Sequence, residues 1–80
     1  MADNMLRLPA VMARTGLSRS TIYLRIAQGV FPKPVSLGGR AVGWPASEVS
    51  ALNAARISSK STSEIRDLVV RLEAARMTAA

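Results

Sequence analysis

Residues Thr15–Tyr23 read TGLSRSTIY, and this stretch decides the fold. Gly16 accepts the left-handed backbone conformation that commonly follows the end of a helix. Ser18 is a preferred N-cap residue, so a new helix begins directly after it. Two short helices joined by a turn of about three residues that contains glycine are typical of a helix-turn-helix motif.

The helices on both sides of this turn follow from helix start and stop signals. Before the turn, Pro9 predicts a helix start, because proline is tolerated at the first helical position. After the turn, the second helix runs from Ser18 to about Gln28 and is closed by Gly29. Residues 1–5 are predicted to be a frayed lead.

The pattern changes after the second helix. The run Phe31-Pro32-Lys33-Pro34 cannot be helical, because each proline pushes the preceding residue into extended backbone. Val35–Leu37 and Ala41–Trp44 then flank Gly38-Gly39-Arg40, and two short runs around a glycine pair predict a hairpin. We interpret this hairpin as a wing.

Two further helices are predicted in the second half. Pro45 suits the first position of the third helix, and Glu48 stands in its first turn, where the helix dipole favours an acid. Ser61, with Glu64 three residues later, matches a capping box at the start of the last helix. The predicted fold is therefore mainly α with a small β-hairpin wing. It comprises a winged helix-turn-helix over residues 6–57 and an amphipathic C-terminal helix over residues 61–77.

The last helix carries a stripe of apolar side chains that can be buried in two ways. Its members are Ile65, Leu68, Val69 and Leu72. The stripe can fold back onto the domain or pair with a second copy of the chain. We favour self-association, because a single helix-turn-helix with few base contacts rarely reaches specific affinity without a second copy.

The net charge indicates a polyanionic partner. Lysine and arginine total 11 against 5 acidic residues, which gives a net charge of +6. Such a balance favours nucleic acid or an acidic membrane surface. Residues 1–45 carry six bases against one acid, whereas residues 46–80 carry five against four. The polyanion is therefore expected to meet the first half.

Several function classes are excluded by what the composition lacks. Without cysteine there is no disulfide framework or thiol chemistry, and without histidine a zinc site is improbable and a histidine base does not exist. No apolar run approaches the ~20 residues of a membrane span. We expect a soluble, cytoplasmic protein without cofactor, metal site, membrane contact or enzymatic activity.

The second helix carries groove-reading chemistry near its start. An α-helix fits the major groove, arginine can grip guanine edges or phosphates, and hydroxyls donate to phosphate oxygens. The expected DNA-binding residues are Ser18, Arg19, Ser20, Thr21, Tyr23, Arg25, Lys33 and Arg40.

Some of these residues also have plainer interpretations. Ser18 acts at least in part as a cap, Tyr23 suits the core with an exposed hydroxyl, and Arg25 suits a solvated surface. Lys33 lies on a segment that a rigid linker explains equally well. Arg40 at a hairpin tip can enter a minor groove or remain in solvent.

Three blocks of residues 6–57 carry a family resemblance. RLPAVMARTGLSRSTIY, FPKPVSLGGRAVGW and a Ser-Glu-Val helix resemble the AlpA family of prophage and integrative-element regulators. These are small winged helix-turn-helix proteins related to MerR-type DNA-binding domains and to excisionases. The resemblance implies sequence-specific DNA binding, without catalysis, by the helix 19–28 and the wing around Arg40. The family's usual Tyr-Arg-Leu-Ile is here Tyr23-Leu24-Arg25-Ile26, so whether Leu24 or Arg25 faces DNA stays open.

The expected function is regulation of transcription for a prophage or other mobile element. One alternative is an excisionase that bends double-stranded DNA for an integrase, and one from another class is a protein-interaction adaptor. The expected partners are double-stranded DNA, a second copy of the chain, and an integrase or RNA polymerase. DNA-bound protein would lie on the bacterial nucleoid.

Overall fold

Four helices and a small antiparallel sheet form residues 4–76, the part of the chain that the computed structural model describes. In chain order the elements are β1 (Met5–Leu6), α1 (Leu8–Thr15), α2 (Arg19–Ala27), β2 (Val35–Gly38), β3 (Ala41–Pro45), α3 (Ala46–Ile57) and α4 (Thr62–Ala75). This mainly helical architecture with its hairpin is the predicted winged helix-turn-helix. The predicted end of the last helix, residue 77, lies outside the described residues. Within residues 4–76, no helix combines the length and hydropathy that a membrane crossing requires.

The turn between α1 and α2 has the predicted chemistry. Gly16 adopts a φ of 71°, and its amide donates to the Met12 carbonyl oxygen over 2.8 Å. The Ser18 hydroxyl accepts a hydrogen bond from the Thr21 amide over 3.2 Å and caps α2. Local rules of helix termination therefore fix where α1 ends and α2 begins.

The sheet has a strand that the sequence did not reveal. Its order is β1-β3-β2, so β3 is the central strand. Met5 pairs with Pro45 and Leu6 with Trp44, and the Ala46 amide donates to the Asn4 carbonyl oxygen over 2.7 Å. The prediction of a frayed lead was therefore wrong at Met5, because a two-residue strand has no pattern of its own. Pro45 is the last strand residue and the N-cap of α3, so the helix begins at Ala46, one position later than predicted.

Trp44 is the centre of the core. Its ring is fully buried and meets the Phe31 ring edge-on, with the ring centroids 6.3 Å apart. Its indole N–H donates to the Pro32 carbonyl oxygen over 2.9 Å. The hairpin is thus anchored to the segment that follows α2. The other buried apolar residues are Val11, Ile22, Val30, Val49, Leu52, Ala55, Ile65 and Val69.

The apolar stripe of α4 is folded back onto this core. Ile65 and Val69 are buried in it, and Leu68 and Leu72 pack against it while remaining partly exposed. A small domain gains from this cover, since it buries only about 60% of its unfolded surface. Self-association through these four side chains stays a prediction, and it would require α4 to leave the body of the domain.

The C-terminal end of α4 is tied to the rest of the chain by charged groups. Glu48 is only 4% exposed, and its Oε2 accepts a hydrogen bond from Arg76 Nε over 2.8 Å. Arg76 also donates to the Lys33 carbonyl oxygen, and the Lys33 amide donates to Glu73 Oε2, each over 2.8 Å. Glu48 was expected only to interact with the helix dipole, whereas it anchors a partner 28 positions away.

Candidate nucleic-acid interface

One face of α2 is directed into solvent along its whole length. Ser20, Tyr23, Leu24 and Ala27 are all exposed and recur at positions i, i+3, i+4 and i+7, which lie on one side of a helix. Leu24 is 56% exposed and Tyr23 is 40% exposed. The opposite side holds Ile22, which is fully buried. We call this outward side the groove face.

The N-terminal end of α2 supplies the charge beside the groove face. Arg19 is the first helical residue, is exposed, and stands one turn before Tyr23. The Ser18 hydroxyl is occupied by its cap, since it accepts from the Thr21 amide and donates to Thr21 Oγ1 over 2.9 Å. The Ser20 hydroxyl lies 3.3 Å from that of Ser18. At this end, Arg19 and Ser20 are thus better placed for an incoming ligand than Ser18 or the half-buried Thr21.

Leu24 and Arg25 point in different directions. Leu24 belongs to the groove face, whereas Arg25 lies about 100° around the helix and is half-buried. Burial, and secondly the charge of Arg25, lower the pKa of Arg56 on α3. Arg25 therefore faces the third helix, and Leu24 is the one of the two that faces outward.

The hairpin presents Arg40 at an exposed tip. Gly38 and Gly39 there have φ angles of 106° and 56°, which suit glycine and few other residues. Arg40 follows them in the turn before β3. Lys33 is also exposed, and its backbone is held by α4 through Glu73 and Arg76.

The structure brings together only part of the predicted set. Arg19, Ser20 and Tyr23 share the start of α2, while Arg40 and Lys33 lie on the hairpin and on the segment before it. Sequence reasoning left out Ala27, although its spacing from Ser20 and Tyr23 would have identified it. It also left out Arg56 and Arg66, which lie beside Arg25. No local pattern could reveal them, because the three arginines come from three different helices.

Comparison with known proteins identifies the family. The family described as "Prophage CP4-57 regulatory protein (AlpA)" matches residues 4–57. The uncharacterized protein ORF88 of Enterobacteria phage P4 is 53% identical over 58 residues, which are 72% of this chain. The chain spans 66% of that protein's length, just under two thirds.

A second relative carries a described activity. The DNA-binding transcriptional activator AlpA of Escherichia coli K12 is 41% identical over 54 residues, which are 60% of this chain and 77% of that protein. The family is one of phage-associated DNA-binding regulators rather than of enzymes. The exposed face of a capped α2, the basic hairpin and these matches agree, and the chain belongs to the AlpA family of prophage regulatory proteins.

Proposed function

We propose that the chain is a sequence-specific regulator of transcription that acts for a prophage or a related integrative element. The observation that carries the proposal is the groove face of α2, with Arg19 at its N-terminal end. The recognition helix of a helix-turn-helix contacts base edges with its N-terminal residues. Here those residues are an arginine, a hydroxyl and a tyrosine, all exposed.

The groove face suits direct reading of bases. Arg19 can make two hydrogen bonds to a guanine edge, and the Leu24 side chain can pack on a thymine methyl group. Ser20 and Tyr23 hydroxyls can donate to phosphate oxygens on the groove rim. Arg40 would follow the duplex to the adjacent minor groove or its phosphates.

An excisionase would use the same docking geometry for a different purpose. The exposed basic tip of the hairpin supports this second candidate, because a minor-groove contact outside the major-groove site favours bent DNA. An excisionase would act with an integrase, and a transcriptional activator with RNA polymerase. Either role belongs in the bacterial cytoplasm, on the nucleoid when DNA is bound.

The number of copies on DNA follows from the size of the interface. A single short helix and one hairpin tip offer few base contacts, so we propose that two or more copies bind repeated half-sites about 10 base pairs apart or multiples of this. With the α4 stripe in the core, such copies would cooperate through DNA or through other exposed residues.

Selection of bound fragments from the source genome tests the function. The full chain is mixed with sheared genomic DNA, and bound fragments are recovered and sequenced, with a large excess of random duplex as competitor. Enrichment of a site at a promoter supports regulation, and enrichment at the attachment region of the element supports excision. A promoter reporter and an excision assay with the integrase then separate the two roles. If no sequence is enriched over the competitor, the proposal of specific binding is overturned.

A salt series tests the adaptor alternative. Binding through phosphates releases counterions, so the affinity for duplex DNA falls steeply as salt rises. A protein-interaction adaptor has no reason to show this dependence. A flat salt response would therefore favour the adaptor.

A further inference from the structure

Three arginines from three helices converge beside α2. Arg25 of α2, Arg56 of α3 and Arg66 of α4 line an open hollow of about 300 Å³. Gln28, Val30 and Thr62 complete its lining. No acidic side chain of residues 4–76 lines this hollow. We call the three residues the arginine cluster.

The charge of the cluster is not neutralised by the fold. The ion pairs among residues 4–76 join Lys60 to Glu64 and Arg76 to Glu48, away from these arginines. Arg66 Nε donates to the Gln28 carbonyl oxygen over 3.1 Å, which fixes the side chain and leaves its other N–H groups available. Folding therefore holds three like charges around one hollow.

Like charges held close together repel one another. The lowered pKa of Arg56 has burial as its main cause and the charge of Arg25 as its second, so these two arginines are close enough to interact. An anion between them would remove this repulsion. Guanidinium groups present planar forks of N–H donors that match phosphate oxygens.

We infer that the arginine cluster binds a backbone phosphate of the DNA duplex at the rim of the groove that α2 enters. The inference rests on the proposed function, since it places the duplex against the groove face. Gln28, which also lines the hollow, lies about 90° around α2 from the middle of the groove face and Arg25 about 150°, so the hollow opens at the flank of the helix and extends towards α3. The major groove is about 12 Å wide and phosphates line its rims, so a flank of the helix meets phosphate rather than base.

The contact has a definite role in recognition. Phosphate contacts fix the register of a protein on the duplex but carry no sequence information. The cluster joins α2, α3 and α4, so the phosphate would hold the groove helix and the C-terminal half of the domain in one orientation. The contribution of α4 to DNA binding then comes from Arg66 rather than from its apolar stripe.

The salt dependence of binding to random duplex is the first test. Arg56→Gln is compared with Arg71→Gln, which removes the same charge from an exposed position on α4 outside the cluster. We expect Arg56→Gln to lower the slope of log affinity against log salt by about one and Arg71→Gln to leave it nearly unchanged. Equal effects of the two variants, or none from Arg56→Gln, would overturn the inference.

The melting temperature of the protein without DNA separates binding from structure. Because Arg56→Gln removes repulsion from Arg25, its melting temperature should equal or exceed that of the wild type. A clear drop in melting temperature would indicate a structural role and overturn the inference. Inorganic phosphate at constant ionic strength should raise the wild-type melting temperature less than duplex DNA does. An equal rise would point to a site for free phosphate instead.

Replacement of single phosphates locates the contact. Neutral methylphosphonates are introduced one at a time along the selected site, and the affinities of wild type and Arg56→Gln are compared. One position should weaken the wild type and leave Arg56→Gln unaffected. If no position shows this coupling, the cluster does not contact the backbone. The random-duplex test needs no specific site, so the inference can fail while the proposed function stands, and the reverse.

Discussion

Helices α2 and α4 are both arginine-bearing and amphipathic, yet their exposed faces differ in chemistry. Each begins after a capping serine, Ser18 for α2 and Ser61 for α4. In α4 the apolar stripe enters the core, and charged groups at its C-terminal end bond to the chain itself. In α2 the exposed face carries Ser20, Tyr23 and Leu24 and no acid, whereas the exposed face of α4 carries Asp67, Val70 and Arg71. An exposed face without acids suits a polyanionic ligand.

The charges follow the same division. Glu48, Glu64 and Glu73 all accept hydrogen bonds from the chain. The hydrogen bond from the Ser61 amide is the main reason that the pKa of Glu64 is lowered. Residues 1–45 carry one acid against six bases, so this half has an excess of positive charge. Arg56 and Arg66 in the second half are also outside the ion pairs of residues 4–76, and both line a hollow with Arg25 of α2.

The largest effect on stability is expected when a buried side chain of the apolar stripe is shortened. Ile65→Ala should destabilise the domain by about 2–5 kcal/mol, because Ile65 is fully buried and the substitution leaves a cavity. Thermal unfolding followed by circular dichroism measures it, with a drop of about 4–8 °C per kcal/mol in a domain of this size. Val70→Ala is the matched control on the same helix, since Val70 is 65% exposed and should change stability by less than about 0.5 kcal/mol.

The same variants separate folding back from self-association. If α4 pairs with a second copy, light scattering should show a dimeric wild type, and Ile65→Ala should yield a monomer whose head melts almost unchanged. A monomeric wild type with a large loss of melting temperature would contradict pairing through the stripe.

The second largest effect on stability is expected at the Arg76–Glu48 ion pair, which holds the C-terminal end of α4. Arg76→Gln should lower the free energy of unfolding by about 1.5–3 kcal/mol, because it removes charge-assisted hydrogen bonds to the buried Glu48 carboxylate. Arg71→Gln removes an exposed arginine from the same helix and should be close to neutral. Urea unfolding of both variants measures the difference. Equal midpoints would show that the Glu48 carboxylate does not depend on Arg76.

These contrasts show what the sequence could predict and why it stopped there. The turn at Gly16 and the capping box at Ser61 are local, because each depends on residues within four positions, and both were predicted correctly. Three features join distant parts of the chain, and no local spacing encodes them: the Glu48–Arg76 ion pair, the strand β1 and the arginine cluster. The apolar stripe of α4 could be recognised from its spacing, but the spacing does not show which surface covers it.

The groove face itself is tested by Arg19→Ala. Loss of a two-hydrogen-bond contact to a base costs about 1–3 kcal/mol of discrimination, so the affinity for the selected site should fall by roughly 5- to 150-fold, and that for random duplex far less. Fluorescence anisotropy with both duplexes measures the ratio. Equal losses on the two would make Arg19 a phosphate contact. The melting temperature of Arg19→Ala should equal that of the wild type, because Arg19 is exposed.

A smaller effect distinguishes Leu24 from Arg25. If Leu24 packs on a thymine methyl group, replacing that thymine by deoxyuridine should weaken wild-type binding by about 0.8 kcal/mol, the free energy of one buried methyl-sized group. The Leu24→Ala variant should bind the two duplexes equally. Arg25→Gln serves as the control and should retain the discrimination, because Arg25 points away from the groove face. Discrimination lost in Arg25→Gln and kept in Leu24→Ala would reverse the assignment.

The hairpin tip gives the smallest expected effect, because a single phosphate contact carries no sequence discrimination. Arg40→Ala should lower the salt slope of DNA binding by about one if the side chain neutralises one phosphate, with a similar loss on specific and random duplex. Arg40 lies in an exposed turn of the hairpin, a separate element from the groove helix, so we expect it to meet the duplex backbone rather than the bases that face α2. Arg40→Lys keeps the charge and should keep the slope, whereas a minor-groove insertion that needs the guanidinium would lose affinity in this variant as well. If Arg40→Ala binds like the wild type at every salt concentration, the hairpin lies outside the interface, and reading rests on α2 alone.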